Sequence, residues 1–403
     1  MQQSSLKSII YDARLRGYFY QVFILGCLAF GLWWLIDNTV TNLADRGKTV
    51  GFGFLTENAG FQISSTLGTW LFDYKVGQSS YLDVYFIGIA NTFLVAVLGI
   101  AGATVLGFTV GIMRLSKNFI IRSFATVYIE LLRNIPLLLQ LFFWYFAVLR
   151  ALPSKRDKIE IIPDVVAMNI TGLYLPAPVI EPGFIYSVIA FVIAIIITLV
   201  MKSWAQKRQF ETGQRFPVLW TALGLIIGLT MLTFWITGSP MNWSYPEFKM
   251  TGAILRRGFQ SGSGMVLVPE MLAVGLALTR YTAAFIAEIV RAGILAVAKG
   301  QTEAAYSIGM RPGMTLRLII IPQALRVIIP PLTSQYLNLT KNSSLAVAIA
   351  YPELVSIFAG TALNQVGKEI EMIFMMMMVY LTFSVATAAF MNWFNARVKL
   401  VER

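Results

Sequence analysis

The sequence contains no histidine and a single cysteine, Cys27. Without histidine the chain lacks the commonest metal ligand and the usual general base of enzymes. One thiol cannot form a disulfide within the chain. The GxxxxGK[ST] phosphate-binding loop is also missing, since Gly47-Lys48-Thr49 is preceded by Asn42 where the motif needs glycine. These absences disfavour an enzyme, and they predict no catalytic residue, no metal site and no cofactor bound by this chain.

Charged residues make up 13% of the chain, whereas 57% of its residues are hydrophobic and its mean hydropathy is +0.69. That balance is typical of a membrane protein, and about 20 apolar residues suffice to span a bilayer. The apolar runs predict an all-α, polytopic membrane protein with about eight transmembrane helices. These helices are residues 18–36, 85–113, 124–149, 184–201, 217–236, 265–290, 327–350 and 372–396. No small-residue cleavage pattern follows Ile36, so we interpret the first run as a retained helix rather than a signal peptide.

Positive charges are distributed unevenly between the loops on the two sides of these helices. One set of loops contains 18 Lys and Arg residues against four acidic residues, and the other contains 11 against 13. The first set comprises residues 1–17, 114–123, 202–216, 291–326 and 397–403. Because loops rich in Lys and Arg face the cytoplasm, both termini are predicted to be cytoplasmic. The net charge of +12 then needs no nucleic acid to explain it.

Residues 299–322, KGQTEAAYSIGMRPGMTLRLIIIP, interrupt the apolar pattern on the predicted cytoplasmic side. The pattern predicts two short helices separated by a sharp bend. Glu303 is expected in the first turn of the first helix, where a carboxylate faces the positive end of the helix dipole. Gly309 suits the left-handed position just past a helix, and Pro312 prevents the same helix from continuing. A projecting hairpin of this kind is typical of a contact surface for another protein.

The spacing within this hairpin is also a recognisable signature: Glu303-Ala304-Ala305, three residues, Gly309, nine residues, Ile319, two residues, Pro322. It resembles the cytoplasmic coupling loop of the permeases, the membrane subunits, of type I ABC importers. The resemblance implies that the ATPase-coupling positions are Thr302, Glu303, Ala304, Ala305, Gly309, Met310 and Pro322. Further segments, such as RNIPLL at 133–138 and KNSSL at 341–345, are similar to the polar amino-acid branch of this family.

The enlarged chain resembles the permeases of Gram-negative general L-amino-acid importers, or of glutamate/glutamine/aspartate/asparagine importers. This resemblance implies a five-helix core plus three extra helices in the bacterial inner membrane. The partners that it implies are ABC ATPase subunits, a second, similar permease, a periplasmic amino-acid-binding protein, an L-amino acid as substrate, and membrane lipids. ATP and magnesium would be bound by the ATPase. The competing hypothesis is an ion-coupled secondary transporter that works without an ATPase, with Glu130 or Glu270 as its embedded carboxylate.

The same comparison of segments predicts four parts of the chain. Residues 1–83 form an N-terminal helix with a periplasmic loop, and residues 84–150 form the first part of the permease core. Residues 151–264 are an insertion with two extra transmembrane helices, joined by extended, proline-rich segments. Residues 265–403 form the second part of the core and include the coupling loop at 295–322.

Six charged residues fall within the predicted spans: Glu130, Arg133, Glu270, Arg280, Glu288 and Lys341. A charge at mid-bilayer costs about 3 kcal/mol or more, so each is expected to face protein or a water-filled cavity. Glu130 and Arg133 are three residues apart and are predicted to pair on one helix face. Glu270 and Glu288 lie near the ends of a span, where extension toward the interface is expected.

Polar residues within the spans also predict a path for a carboxylate-bearing solute. Its candidate residues are Asn91, Thr92, Arg133, Asn134, Pro136, Lys341, Asn342, Ser343 and Ser344. Arg133 or Lys341 would meet the carboxylate, while the amides and hydroxyls would orient the solute. The alternative is that these residues hold helices together. Pro136 is expected to release a backbone carbonyl that needs a partner or a cavity at membrane depth.

Overall fold

The computed structural model of the chain describes residues 13–45, 51–250, 257–260 and 262–398. Within these residues seven helices are long and apolar enough to cross a membrane, or eight if one bent pair counts as a span. The helices are α1 (Ala13–Asp45), α2 (Leu67–Leu71), α3 (Tyr81–Arg114), α4 (Phe119–Asn134), α5 (Leu137–Phe142), α6 (Phe184–Thr212), α7 (Val218–Ile236), α8 (Pro269–Leu295), α9 (Lys299–Ser307), α10 (Pro312–Thr315), α11 (Ile321–Asn342), α12 (Leu363–Val366) and α13 (Glu369–Val398). The predicted all-α, polytopic membrane protein is confirmed. The Gly47-Lys48-Thr49 triplet lies outside the described residues.

The bent pair is α4 and α5, which the sequence predicted as one continuous helix over 124–149. The helical axis turns by 106° at the break between them. Ile135 is extended, with φ −98° and ψ 126°, because the residue before a proline is disfavoured in the helical region. The prediction of a single helix is therefore wrong, and Pro136 is the reason. After α5 the chain continues helically to Ala151, first in a wide turn and then in a tight one.

A second difference concerns the helix that was predicted to begin near 327. The helical backbone already starts at Pro312, where α10 runs through a wide turn at Leu316–Ile320 into α11 and onward to Ile349. Pro330 and Pro331 lie inside α11 without interrupting it. In membrane helices, local adjustments and neighbouring groups can satisfy the backbone atoms that a proline releases. The predicted helix at 327–350 is therefore confirmed as part of a longer helical stretch that begins earlier in the chain.

The chain divides into two compact units. Of the described residues, the first unit contains those up to Ile63 together with Leu67–Phe93 and Pro352–Phe394, and the second contains Ser64–Thr66, those between Leu94 and Tyr351, and 395–398. In the first unit, Phe54 from the segment after α1 is buried with Tyr81 of α3 and Phe358. The segment predicted as a polar loop therefore contributes to an apolar core.

In the second unit, α3 packs against α8 through glycines. A Cβ atom on Gly107 would lie 2.6 Å from Cβ of Ile286, and one on Gly111 would lie 2.7 Å from the carbonyl oxygen of Ala287. Both distances are shorter than carbon contacts allow, so only glycine fits. Small residues at such positions let the backbones of membrane helices approach closely. Gly107 and Gly111 therefore form a small-residue face where α3 meets α8.

Short antiparallel strands occupy the segments that flank α6 and α7. The strands are β1 (Ile159–Ile162), β2 (Val166–Asn169), β3 (Gly172–Leu175), β4 (Ala177–Ile180), β5 (Met241–Ser244), β6 (Phe248–Lys249), β7 (Gly258–Phe259) and β8 (Met265–Leu267). They form one sheet in the order β1-β2-β3-β8 and two pairs, β4-β5 and β6-β7. In the β4-β5 pair, Val179 lies opposite Asn242. The extended backbone expected after Arg150 is confirmed.

Replacement of Gly111 by valine tests the contact between α3 and α8. Overpacking of this kind typically costs about 1–3 kcal/mol, so Gly111→Val should lower the thermal unfolding midpoint in detergent. The control is Gly224→Val on α7, where a Cβ would meet nothing within 4 Å. Equal midpoints for the two variants would contradict the contact.

Candidate functional site

The hairpin at 299–322 begins with α9, and the way in which this helix ends explains why glycine stands at position 309. Gly309 has a φ of +77°, the left-handed conformation that favours glycine. Its N–H donates to the Tyr306 carbonyl at 2.9 Å, and the Met310 N–H donates to the Ala305 carbonyl at 3.0 Å. These two bonds form a Schellman motif, which satisfies the last carbonyls of a helix. The left-handed residue predicted at Gly309 is confirmed.

Glu303 does not lie in the first turn of α9. That helix begins at Lys299, and its first turn contains no acidic residue. The expected stabilisation by the helix dipole is therefore wrong, because the dipole effect falls off within the first turn. Glu303 and Ala304 are exposed, while Ala305 is buried, with 1% of its surface accessible. Thus the two adjacent alanines have different surroundings, and only the second packs inside.

The second arm of the hairpin is not the separate short helix that the sequence predicted. Pro312 starts α10 at a position where its missing N–H costs nothing, and the helix continues through Pro322 into the membrane-spanning part. The buried Thr315 donates its hydroxyl to the Arg311 carbonyl at 3.2 Å. The hairpin is therefore a capped helix joined by a tight turn to the base of a long one.

Apolar side chains cover the outside of this hairpin. The exposed ones are Tyr306, Ile308, Met314, Leu316 and Leu318. Ile308 alone is 76% exposed. Together with Thr302 and Glu303 on α9, they form an accessible surface on the hairpin. Among the described residues, no three Cys, Asp or Glu side chains are grouped so as to hold a metal ion.

An ion network joins the end of α3 to α4 and to α8, the helix that precedes the hairpin. Glu288 accepts from Arg114 at 2.5 Å and from Arg291 at 2.5 Å. Arg114 also reaches Glu130 at 3.3 Å. The predicted pair between Glu130 and Arg133 is wrong, because Arg114 provides a closer cation from a neighbouring helix. Nor does Glu288 extend alone toward an interface as expected.

Similarly, Glu270 does not extend alone toward the interface. Its carboxylate accepts from the hydroxyl of Tyr145 at 2.8 Å, and the same hydroxyl accepts from Arg150 at 2.9 Å. This chain of polar contacts joins α8 to the helical segment after α5. The carboxylates of α8 therefore bind neighbouring helices in preference to the membrane surface.

The carbonyl that Pro136 leaves without a backbone N–H donor has a hydrogen-bond partner, which is one of the two outcomes predicted from the sequence. A proline clashes with the carbonyl four residues earlier, here that of Leu132. The Nε2 atom of Gln140 donates to this oxygen at 2.9 Å and to the Ile135 oxygen at 2.9 Å. Gln140 is buried. Sequence reasoning missed Gln140, although an amide four residues after a proline within a span was the signal that could have found it.

Two other predicted path residues lie beside this bend. Arg133 is exposed, and its guanidinium carbon lies 5.3 Å from the centroid of the Phe285 ring. Asn134 donates its side-chain amide to the Glu130 carbonyl at 2.7 Å. The bend therefore presents a cation and leaves Asn134 bound to its own helix.

The predicted polar cluster at 341–344 lies at the end of α11. Lys341 is exposed, and Ser343 is completely buried. The hydroxyl of Ser343 donates to the Thr340 carbonyl at 2.7 Å, and that of Ser344 donates to the Lys341 carbonyl at 2.7 Å. Both hydroxyls satisfy their own helix, whereas the Lys341 ammonium group is accessible. Asn342 is the last residue of α11 and is half-buried.

In the first unit, Asn91 and Thr92 are fully buried, and they bind the non-helical stretch of backbone near Pro352. Asn91 donates to the Pro352 carbonyl at 2.7 Å and accepts from the Gly68 N–H at 3.0 Å. The Thr92 hydroxyl accepts from the Leu354 N–H at 3.1 Å. Here the polar atoms of both side chains satisfy backbone groups, and their place in a solute path stays a prediction.

Glu353 is a buried carboxylate that lies between the predicted spans 327–350 and 372–396. Its oxygens accept from the N–H groups of Val355 at 2.9 Å and Ser356 at 2.7 Å, and from the Tyr380 hydroxyl at 3.1 Å. Desolvation raises its pKa from 4.5 to about 7, and these hydrogen bonds oppose the rise. The available signal was an acidic residue directly before an apolar run, a pattern typical of a helix start.

Comparison with known proteins places the chain among transport proteins. Residues 103–400 match the family described as "Binding-protein-dependent transport system inner membrane component". The general L-amino acid transport system permease protein AapQ of Rhizobium johnstonii is 47% identical over 99% of this chain and 96% of its own length. The putative amino-acid ABC transporter permease protein YhdX of Escherichia coli is 48% identical over 96% and 95%. The glutamate/glutamine/aspartate/asparagine transport system permease protein BztB of Rhodobacter capsulatus is 38% identical over 99% and 97%.

Removal of the amide at Gln140 tests the bend between α4 and α5. Gln140→Leu leaves two buried carbonyls without their donor, which costs about 1–3 kcal/mol for each unsatisfied group. We therefore expect a lower thermal unfolding midpoint in detergent. The control is Gln209→Leu, the same change at an exposed position of α6. A midpoint for Gln140→Leu equal to that of the control would show that the bend does not need this amide.

Burial of Glu353 predicts a pH dependence of stability. Because its pKa is raised in the folded protein, its contribution is complete below the ordinary pKa of 4.5 and is lost as the pH rises through about 7. The unfolding midpoint should therefore fall between about pH 5 and about pH 8, and Glu353→Gln should flatten this slope. An unchanged slope in that variant would assign the pH dependence to another group.

Proposed function

Because the chain belongs to the family of inner-membrane components of binding-protein-dependent transport systems, we propose that it carries polar L-amino acids across the bacterial inner membrane, driven by a separate ATPase. Its membership confirms the importer predicted from the hairpin over an ion-coupled transporter. The relatives that match it over nearly its whole length are amino-acid permeases, as the resemblance to the polar amino-acid branch predicted. Their names support general L-amino acids, including acidic ones and their amides, as the substrates.

The hairpin at 299–322 is the part that we assign to energy coupling. The observation that carries this assignment is its construction: α9 is closed by the Gly309 motif and joined at Pro312 to a helical backbone that continues to Ile349. A displacement of the hairpin would therefore reach the membrane-spanning helix directly. The residues assigned to this contact are Thr302, Glu303, Ala304, Ala305, Gly309, Met310 and Pro322. ATP and magnesium are bound by the ATPase in this proposal, since the chain has no phosphate-binding loop of its own.

The remaining partners are a second, similar permease and a periplasmic amino-acid-binding protein. The binding protein would deliver the solute to the side opposite the hairpin, where the positive-inside rule places residues 150–183 and 237–264. These residues contain the strands of the 151–264 insertion, and we assign that insertion to assembly with the partners. The five-helix core is then made by residues 84–150 and 265–403.

Within the second unit, the accessible cations Arg133 and Lys341 support a path for a carboxylate-bearing solute. Each is exposed, and among the described residues neither forms an ion pair within 4.0 Å. Alternating access follows if ATP binding changes the contacts of the hairpin, since coupling requires that the ATPase interact differently with the two states. The backbone beside these cations is shaped by Pro136, by Asn134 and by the hydroxyls at 343–344.

Charge reversal on the hairpin tests the coupling. Glu303→Lys should abolish ATP-driven amino-acid uptake by vesicles that contain the assembled transporter, because it changes the sign of an exposed charge on the contact surface. Glu211→Lys is the matched control, an exposed glutamate near the end of α6 on the same predicted side. Uptake by Glu303→Lys at the rate of this control would contradict the assignment. Uptake by the wild type without ATP would contradict the importer itself.

A further inference from the structure

Arg280 is a cation at the middle of the most buried membrane-spanning helix. It lies on α8, about 17 Å from one end and about 22 Å from the other at 1.5 Å per residue. A hydrocarbon core is about 30 Å thick, so this position is close to the bilayer centre. Arg280 is half-buried, and α8 is flanked by helices of the same unit. A guanidinium at this depth faces protein or a water-filled path.

Its surroundings satisfy the charge only in part. The guanidinium carbon lies 4.8 Å from the centroid of the Trp144 ring. The Tyr128 hydroxyl donates to the backbone carbonyl of Arg280 at 3.0 Å. This bond involves the main chain and provides no partner for the guanidinium. A guanidinium has five N–H donors, and a ring accepts it only through its face. The donors in its plane therefore have no anion to bind in this arrangement.

The carboxylates nearest in sequence on α8 cannot supply that anion, since they already bind elsewhere. Glu270 accepts from Tyr145, and Glu288 accepts from Arg114 and Arg291. Among the described residues, Arg280 has no ion pair within 4.0 Å, whereas Arg114 and Arg291 each have one. Arg114 of α3 and Arg291 near the end of α8 are thus paired with a carboxylate of the protein, whereas Arg280 at the middle of α8 is not.

We propose that Arg280 binds a carboxylate group of the transported amino acid during its passage. An arginine matches a carboxylate with two parallel hydrogen bonds, and an aromatic face beneath the guanidinium orients that fork. Trp144 is the positioning residue. This inference rests on the proposed function and adds a binding residue to it. The carboxylate is either the α-carboxylate of every amino acid or the side-chain carboxylate of the acidic ones.

Uptake of two substrates distinguishes these sources. The complete transporter, with its ATPase, second permease and binding protein, is reconstituted in proteoliposomes and supplied with L-glutamate or L-glutamine. With Arg280→Gln, we expect the uptake of at least one substrate to fall by about tenfold or more, as for the loss of a charge-assisted hydrogen bond. Equal losses for both identify the α-carboxylate, and a loss for glutamate alone identifies the side chain.

Two controls separate binding from folding and from the proposed function. Arg122→Gln removes an exposed arginine of α4 and should leave the uptake of both substrates unchanged. Stimulation of ATP hydrolysis by the loaded binding protein should persist in Arg280→Gln, since the hairpin is intact.

If that variant does not assemble, Arg280→Lys keeps the charge without the two parallel donors of the guanidinium and should raise the KM for the amino acid several-fold. Wild-type uptake of both substrates by an assembled Arg280→Gln transporter, or an unchanged KM in Arg280→Lys, would overturn the proposal. Absence of uptake by the wild type would instead refute the proposed function.

Discussion

Satisfaction of broken backbone at membrane depth is the constraint on which the rest of this structure depends. Lipid offers no hydrogen bonds, so every helix break needs a protein partner. In the second unit, Gln140 provides one amide for the two carbonyls at the Pro136 bend. In the first unit, Asn91 and Thr92 bind the backbone at Pro352 and Leu354. These side chains make sharp turns possible inside a chain that is otherwise built from long apolar helices.

The hairpin at 299–322 shows the opposite solution. Here the chain leaves the apolar region, and backbone groups at the helix end form hydrogen bonds with one another. Gly309 closes α9 with two backbone hydrogen bonds, and Pro312 begins the next helix where no N–H is needed. The result is a surface element in which a capped helix and the base of a long helix are joined by a tight turn. The ion network of Glu288 with Arg114 and Arg291 joins α3 to α8, the helix that precedes the hairpin. Both features support the energy-coupling role that we propose for the hairpin.

The sequence alone predicted the spans and the turn of the hairpin, since long apolar runs and the conformational limits of Gly309 and Pro312 are local properties. It failed where the outcome depends on neighbours in space. Glu130 pairs with Arg114 rather than with Arg133, because α3 brings a better-placed guanidinium that is distant in sequence. Pro136 predicted a released carbonyl, but neither the turn of 106° nor the amide that binds the carbonyl followed from the sequence. Glu353 lies between two predicted spans, and its complete burial cannot be read from a short segment that contains a charge.

The most direct test of energy coupling through the hairpin is a crosslink between the hairpin and the ATPase. In a Cys27→Ser background, Tyr306→Cys provides a thiol at a side chain that is 50% exposed, and Ile161→Cys provides one on β1 at a side chain that is 54% exposed. With a short thiol-reactive crosslinker in membranes, we expect the ATPase to be captured by the cysteine at 306 and not by the one at 161. Capture from 161, or from neither position in an assembled transporter, would contradict the claim that ATP energy enters through this hairpin.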